Sequence, residues 1–506
     1  MNFKKIILTA GFMSLATILA KGCGMWRDIL IAANFGAGGA ASAYFAASSL
    51  PMLLFDVVIG GAVSAAFIPI FNEFLQKDGK PAAMRFANNY INAIFYITTF
   101  ITVVGIALSS VLISLQVGGF PDDLKTFTTQ LLIIMFPMII FTGLAYSFVG
   151  ILQSFGEFNI PSVISLVSNA VVILYLFTLN NRFGVVGLAV TMLIGWALQA
   201  VIQIPHLIKF GYRYSPKISF NDGGLKKAGL LAWPILISTW AMPLASLVNM
   251  HLASYVGGGA GVAAMNYAYR LYINMVGVFA FVITNLIFPY LSRANAAGDN
   301  TGLNNVIMKS FKAVVLIITP IMTALILLAR PVIRLIYMRG EFTEADVPLT
   351  STVFLFYLIG MLAYAFYELL NKSFFAMHDS KTPMKISLVS MCINIVLSVI
   401  LFNVMGLGGV ALATAVGSIV NAIFLFILIS KKQKGIFNKE DAVHFAKMIA
   451  AALVMAAVIW FVIPIVNGHF KNTFADILIP LAVGFAAYLV ICAALLHKDM
   501  RKIIGK

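Results

Sequence analysis

The sequence has little charge and almost no cysteine. Of its 506 residues, 10% are charged and 61% are hydrophobic, and three are cysteines. An average soluble domain has roughly 25% charged residues, and even a large soluble fold buries only about three quarters of its surface. The low charge therefore excludes a soluble globular protein and a disordered one, and this chain needs lipid around most of its length.

The positions of the three cysteines exclude two further classes of protein, those built on disulfides and those built on a cysteine metal site. Cys23, Cys392 and Cys492 lie far apart in the sequence, each inside an apolar stretch. This spacing fits neither a disulfide framework nor a metal site, and the expected role is that of small apolar side chains. We therefore predict no metal site and no cofactor.

Negative charge is scarce as well, since the formal net charge is +16. Nucleic-acid-binding proteins cluster Lys and Arg on a polar face. Here the basic residues occupy short gaps between apolar runs, as they do in the cytoplasmic loops of membrane proteins. The charge thus indicates contact with anionic membrane lipids and no nucleic-acid partner.

Long apolar runs fill the chain from end to end. A membrane-spanning helix needs roughly 20 apolar residues, and we count fourteen such runs. The predicted fold is an all-α integral membrane protein with about 14 transmembrane helices. The spans, numbered 1 to 14, cover residues 6–33, 41–72, 86–117, 124–154, 161–179, 184–209, 227–255, 260–292, 304–337, 347–377, 383–403, 406–430, 442–466 and 474–497.

The distribution of Lys and Arg predicts the orientation. If the N-terminus is cytoplasmic, 25 of the 34 basic residues fall in cytoplasmic segments, six fall in outer segments and three lie within spans. Cytoplasmic loops carry the excess of Lys and Arg in membrane proteins. We predict that both termini face the cytoplasm.

An internal repeat relates two halves of the chain. The segments 161–168 and 383–390 both read P-x-x-I-S-L-V-S, 222 residues apart. Spans 1–6 therefore match spans 7–12, and because six is even, two pseudo-symmetric six-helix lobes share one orientation. The predicted domains are an N-lobe at 1–210, a basic cytoplasmic linker at 211–227, a C-lobe at 228–431 and two extra spans at 440–498.

Three cations lie within predicted spans, where a charged side chain costs roughly 2.5–3.5 kcal/mol. Lys21 lies past the midplane of span 1, and the glycines that follow it predict a break in the helix. Arg27 lies nearer the outer surface, and Arg270 lies among tyrosines of span 8. Snorkelling to the membrane interface is the alternative. We interpret Lys21, Arg27 and Arg270 as substrate-binding residues that line a cavity.

Three acids are candidate charge partners or coupling groups. Asp28 adjoins Arg27, Asp56 falls in the middle of span 2, and Glu368 lies in span 10 near Lys372. Ionisable groups at membrane depth either pair with one another or carry protons and ions. Both roles stay open for Asp28, Asp56 and Glu368.

Cations from two facing lobes predict a cleft for an anionic substrate, because Arg and Lys bind phosphate strongly. A drug-cation exporter of the same fold would favour acids in its cleft. A membrane enzyme would need acid–base or metal groups at the water interface, and the sequence has no cluster of His, Asp and Glu. A scaffold without transport activity is the third alternative.

Four motifs resemble those of the MurJ (MviN) family of lipid II flippases, in the multidrug/oligosaccharidyl-lipid/polysaccharide flippase superfamily. Residues 21–38 resemble the family's S-R-x-x-G-x-x-R-D…F-G-A-G, with Lys21 in place of the first arginine. Residues 61–69 resemble G-A-x-S-x-A-F-x-P. Residues 339–343 and 374–383 are similar to R-G-x-F-T and F-[YF]-[AS]-x-x-D-[ST]-[KR]-T-P.

The resemblance implies a transporter and no enzyme. The implied activity is alternating-access movement of lipid II, the undecaprenyl-pyrophosphate-linked peptidoglycan precursor, to the outer leaflet of the bacterial cytoplasmic membrane for cell-wall synthesis. By the same resemblance, Lys21, Arg27 and Arg270 occupy positions of family arginines, and spans 13 and 14 are expected to form a groove for the polyprenyl chain. We further expect coupling to the membrane potential or to a monovalent ion. Cell-wall synthesis proteins are expected partners. The alternative is another polysaccharide-lipid or a drug as substrate.

The sequence departs from the family pattern in span 2. Ser42 stands where the family has an acid, Phe55 and Asp56 stand where it has two arginines, and Gly60 replaces a glutamate. These replacements predict a less cationic cavity. They raise three alternatives: a different headgroup, a different coupling ion or a divergent paralogue.

Overall fold

The computed structural model describes residues 3–55, 66–219, 222–239, 241–469 and 473–504. Within these residues the regular secondary structure is helical, and none of them lies in a strand. Lipid favours helices because every backbone N–H and C=O must be bonded inside the protein. The helices are α1 Phe3–Phe35, α2 Gly39–Phe55, α3 Ile68–Lys77, α4 Gly79–Ala107, α5 Ser109–Gln116, α6 Asp122–Met135, α7 Met138–Ser154, α8 Asn159–Thr178, α9 Asn180–Val201, α10 Ile204–Lys209, α11 Gly223–Thr239, α12 Ala241–Ala253, α13 Ala260–Ala296, α14 Asn300–Leu327, α15 Ala329–Tyr337, α16 Val347–Ile359, α17 Met361–Ala376, α18 Lys381–Met405, α19 Leu407–Lys432, α20 Lys439–His469 and α21 Thr473–Ile504.

In the described residues, each of the fourteen predicted spans coincides with one helix or with two consecutive helices. Among the described residues, nine helical segments are long and apolar enough to cross a membrane, and the bent pair α16–α17 makes a tenth. The other four predicted spans coincide with α1, with α2 and α3, with α11 and α12, and with α13. The all-α membrane fold is therefore confirmed.

Span 1 is an unbroken helix, so the predicted break after Lys21 is wrong. α1 runs through Gly22 and Gly24 without interruption. A glycine inside a helix costs only about 1 kcal/mol relative to alanine, whereas a break in lipid leaves backbone groups unbonded. Gly24 instead faces α8, where an added Cβ would lie 3.8 Å from Nδ2 of Asn169.

Contacts between helices divide the chain into two units, Met1–Ala263 and Ala264–Lys506. In the first unit, α8 packs against α1 and α9, and α7 packs against α4 and α9. In the second unit, α18 pairs with α19, and α20 pairs with α21 and contacts α14. The contacts group α11 and α12 with the first unit, whereas the repeat in the sequence assigns them to the second lobe. The predicted lobes 1–210 and 228–431 therefore stay a prediction.

The offset of 222 residues recurs in the backbone of the two units. α7 and α17 are each followed by a turn that contains one left-handed residue, Gly156 (φ +78°) in the first unit and His378 (φ +58°) in the second. In both turns the next N–H bonds to the carbonyl five residues before it, at 2.9 and 3.0 Å. Such turns satisfy carbonyls that the end of a helix leaves without partners.

The second helix of each repeated pair also begins in the same way. Gly184 (φ 53°, ψ −143°) interrupts α9 near its start, and Gly406 (φ 59°, ψ −139°) directly precedes α19. This backbone conformation is accessible almost only to glycine. Spans 5 and 6 therefore share their internal geometry with spans 11 and 12, as expected from a duplication.

Three asparagines of α4 hold the predicted linker against the first unit. Asn88, Asn89 and Asn92 are buried, and their amide groups bond backbone atoms of residues 213–219 at 2.7–3.0 Å. A primary amide both donates and accepts hydrogen bonds, so it satisfies N–H and C=O groups of an irregular segment. The segment thus has a defined position although it lacks secondary structure.

The turn between α17 and α18 is fixed by a carboxylate with a low pKa. Asp379 accepts hydrogen bonds from the backbone N–H and the hydroxyl of Thr382 at 3.0 and 2.7 Å, and it forms an ion pair with Lys432. Partial burial raises the pKa of Asp379, but the bonds from Lys432 and Thr382 outweigh it and hold the pKa at about 2.

Asp379→Asn is expected to lower thermal stability at neutral pH. A carboxylate with a depressed pKa stabilises the folded state above its ordinary range, and this contribution disappears as the pH falls toward about 2. Solvent screening at the exposed Lys432 limits the effect to on the order of 1 kcal/mol. The measurement is the melting temperature of the wild type and of Asp379→Asn between pH 7 and pH 3.

The matched control is Glu157→Gln, at the equivalent repeat position of the first unit. Glu157 accepts only the backbone N–H of Asn159 among the described residues, at 3.0 Å, so its replacement should change the melting temperature less. A difference between the wild type and Asp379→Asn that stays constant down to pH 3 would contradict the assignment.

Candidate substrate-binding site

The first unit contains a half-open cavity of about 400 Å³ among α1, α2, α7, α8 and α9. This volume lies in the range of small-molecule sites. Arg27 is the single charged side chain among the described residues that line it. The other walls are apolar with interspersed hydroxyl and amide groups, which include Thr17, Tyr146, Gln153, Ser165, Asn169 and Gln199.

Arg27 is held in place by two neighbours. Its Nε and Nη2 donate to Oδ1 of Asp28 at 3.0 and 2.8 Å, and its Nη1 donates to Oδ1 of Asn169 at 2.9 Å. The side chains of Arg27 and Asp28 are 15% and 4% exposed. These bonds engage three of the five guanidinium N–H groups, and the other two have no acceptor among the described residues.

Asn169 is a site residue that sequence reasoning missed. It lies on α8, 142 residues from Arg27 in the sequence, so only the packing of α1 against α8 brings the two together. One signal was available: Asn169 directly follows the repeated segment 161–168, and the repeat places Met391 at the equivalent position of the other half. A polar residue that one repeat keeps and the other lacks indicates a role specific to the first unit.

Lys21 lies on α1 about one helical turn after Thr17, which lines the cavity. It is half-buried, and it is not among the described residues that line the cavity. Six residues along a helix amount to a rotation of about 120° relative to Arg27. Thr17 and Arg27 both line this cavity, and a role for Lys21 in the same site stays a prediction.

Arg270 belongs to the second unit, where it is half-buried on α13. Tyrosines surround it in the sequence, and in the structure the rings of Tyr269 and Tyr272 lie 6.3 Å apart. Tyr267 packs elsewhere, with its ring 5.1 Å from that of Tyr337. Arg270 thus stands beside an aromatic group that extends beyond its own helix.

The three candidate acids have different positions. Asp28 forms the buried ion pair with Arg27. Glu368 is half-buried on α17, with Lys372 as an electrostatic neighbour one helical turn later. Asp56 lies outside the described residues, as does Gly60.

Ser42 has a structural role at the position of the family acid. Its side chain is fully buried, and its Oγ accepts the backbone N–H of Ala263 at 3.0 Å. Ala263 lies in the first turn of α13, where N–H groups have no partner inside the helix. The hydroxyl therefore supplies the acceptor that this helix start needs, without adding a charge.

The structure is an all-α bundle of about fourteen apolar spans, with an internal duplication and a buried cation at a cavity. This is the architecture of a multi-pass membrane transporter. The profile described as lipid II flippase MurJ matches residues 31–480 of this chain. The chain therefore belongs to the MurJ family.

Relatives over nearly the whole chain support this assignment. The probable lipid II flippase MurJ of Buchnera aphidicola subsp. Acyrthosiphon pisum is 27% identical over 492 residues, covering 96% of this chain and 95% of the relative. The probable lipid II flippase MurJ of Vibrio cholerae is 27% identical over 469 residues, covering 90% and 89%. The lipid II flippase MurJ of Burkholderia cenocepacia is 27% identical over 464 residues, with the same coverage of 90% and 89%.

Solved structures share the fold. A lipid II flippase MurJ in an inward closed conformation matches with a TM-score of 0.84 and 27% identity, covering 97% of this chain and 99% of that chain. An inward-facing multidrug resistance transporter of the MATE family matches with a TM-score of 0.70 and 15% identity, covering 85% and 98%. The second likeness extends the shared fold to the wider superfamily.

Proposed function

We propose that this protein flips lipid II from the inner to the outer leaflet of the bacterial cytoplasmic membrane, by alternating access, for peptidoglycan synthesis. The observation that carries the proposal is Arg27, a buried cation at a cavity of the first unit, in a chain of the MurJ family. Lipid II presents a diphosphate, which is the kind of ligand that a guanidinium favours.

The surroundings of Arg27 suit a ligand that must bind and then leave. Asp28 and Asn169 orient the guanidinium and leave two N–H groups for phosphate oxygens. Arginine binds phosphate through two parallel hydrogen bonds. Because Asp28 already balances the charge of Arg27, the site without a ligand avoids an unpaired buried cation, and the diphosphate competes with the carboxylate instead of binding irreversibly.

The finer features of the proposal come from the sequence. Lys21 and Arg270 are proposed as further cations that bind the diphosphate, and both termini are proposed to face the cytoplasm. The driving force is proposed to be the membrane potential, worth about 2.3 kcal/mol per charge per 100 mV, or a monovalent ion, with Asp56 and Glu368 as coupling candidates. Cell-wall synthesis proteins are proposed as partners.

Complementation tests the proposal. Expression of this protein in bacteria depleted of their resident lipid II flippase is expected to restore growth, because lipid II again reaches the outer leaflet. Purified protein in liposomes is expected to expose labelled lipid II on the opposite leaflet, faster when a membrane potential is imposed. The measurements are colony counts and the accessibility of the label to a membrane-impermeant reagent.

Two results would speak against the proposal. Failure in both assays, with the protein present in the membrane, would contradict lipid II flipping. Movement of another polyprenyl-linked saccharide or of a drug, without movement of lipid II, would support the alternative substrate of the same fold.

A further inference from the structure

Five tyrosines pack together in the second unit where span 10 bends. Ring centroids of neighbouring members lie 4.8–6.3 Å apart. Three helices contribute, so the group depends on tertiary packing and not on one amphipathic face. This tyrosine cluster consists of Tyr269 and Tyr272 of α13, Tyr357 of α16, and Tyr364 and Tyr367 of α17.

Span 10 is broken within the cluster. α16 and α17 meet at 46°, with Gly360 between them, and Tyr357 precedes the bend while Tyr364 follows it. A Cβ at Gly360 would lie 2.7 Å from Cα of Ala415, so α19 packs directly against the bend. Broken helices at membrane depth occur where the backbone lines a cavity or is covered by protein, and transporters build substrate sites from them.

The hydroxyl groups distinguish this cluster from an ordinary apolar core. The rings of Tyr272 and Tyr357 are each only 3% exposed, yet neither hydroxyl is hydrogen-bonded to another described residue. Phenylalanine would fill the same space without a polar atom that needs a partner. Tyr269 itself is 41% exposed, so the cluster is accessible from outside the protein at this residue.

We infer that the tyrosine cluster binds the saccharide of the lipid-linked substrate, an inference that rests on the proposed function. A pyranose ring has an apolar face of C–H groups that packs on an aromatic ring and a rim of hydroxyls that bond to tyrosine hydroxyls. Sites lined by aromatic side chains with a few polar groups are typical of small-molecule recognition.

The neighbouring charges fit this assignment. Arg270 directly follows Tyr269 on α13, and the saccharide of lipid II is joined directly to the diphosphate. A headgroup that contacts Arg270 therefore brings its first sugar next to Tyr269. At the other edge of the cluster, Glu368 lies beside Tyr367, and its carboxylate can accept hydrogen bonds from sugar hydroxyls.

Binding of two lipids that differ in the saccharide tests the inference. The probes are lipid II and undecaprenyl pyrophosphate, which has the same tail and diphosphate but no sugar. The variants are Tyr272→Phe/Tyr357→Phe, which keeps both rings, and Tyr269→Ala, which removes the exposed ring. Each is expected to weaken the binding of lipid II by about tenfold, or about 1.4 kcal/mol, and to leave undecaprenyl pyrophosphate within about twofold of wild type.

Tyr290→Ala is the matched control, because Tyr290 is an exposed tyrosine of the same helix outside the cluster, and it should bind both lipids like wild type. Equal losses for the two lipids, or no loss for lipid II, would overturn the inference. If wild-type protein binds undecaprenyl pyrophosphate as tightly as lipid II, the saccharide role fails while the proposed function stands. If wild type binds neither lipid, the proposed function fails and the inference with it.

Discussion

Arg27→Lys is expected to abolish growth rescue and to slow lipid II flipping about 100-fold, while the protein still accumulates in the membrane. Lysine keeps a positive charge next to the buried carboxylate of Asp28, so the local charge balance is preserved. It lacks the planar fork of N–H groups that binds phosphate through two parallel bonds. The measurements are the flipping rate in liposomes and the abundance of the protein in membranes.

Arg27→Ala would confuse transport with folding. It leaves the carboxylate of Asp28 buried without its cation, which typically destabilises a protein by about 3–5 kcal/mol. The double variant Arg27→Gln/Asp28→Asn removes both charges and keeps hydrogen-bonding groups, so it should accumulate better than Arg27→Ala and still fail to flip lipid II. Full activity of Arg27→Lys, or of the double variant, would exclude the role of Arg27 in binding the diphosphate.

Gly360→Ala is expected to have the second-largest effect. The added Cβ would lie 2.7 Å from Cα of Ala415, and because that neighbour is backbone, α17 and α19 must separate. Overpacking of this kind costs about 1–3 kcal/mol, and the shift moves Tyr357 and Tyr364 on the two sides of the bend. We expect a lower melting temperature and about tenfold slower flipping.

Gly22→Ala provides the matched control for Gly360→Ala. An added Cβ at Gly22 meets no atom within 4 Å, and alanine favours the helix by up to about 1 kcal/mol over glycine. The control variant should therefore match or exceed wild type in stability and in flipping rate. Similar losses in both variants would show that the close contact at Ala415 is not the cause.

Hydropathy and the internal repeat predicted the fold because both follow from the order of the residues, without knowledge of how the helices pack. A span needs a run of roughly 20 apolar residues, and a helix is the one structure that bonds its backbone within such a run. The segments 161–168 and 383–390 likewise located the duplication, which the turns at Gly156 and His378 repeat in the backbone.

The site was predicted only in part, because its bonds join distant segments. Arg27 and Asp28 are adjacent in the sequence, and their pairing required no tertiary information. The bond from Arg27 to Asn169 depends on how α1 packs against α8, which composition and periodicity do not report. The break predicted after Lys21 is absent for a related reason. The low helix propensity of Gly22 and Gly24 favours a break, but the lipid environment keeps α1 continuous.

The asparagines of α4 have a consequence for the basic segment 211–227. The bonds from Asn88, Asn89 and Asn92 to residues 213–219 all go to backbone atoms, so neutral amides, which mobile ions do not screen, fix the shape of this segment. The side chains of Arg213 and Lys217 point outward and are exposed. The positive side chains of this segment can therefore bind anionic headgroups, while the backbone keeps the same shape at any ionic strength.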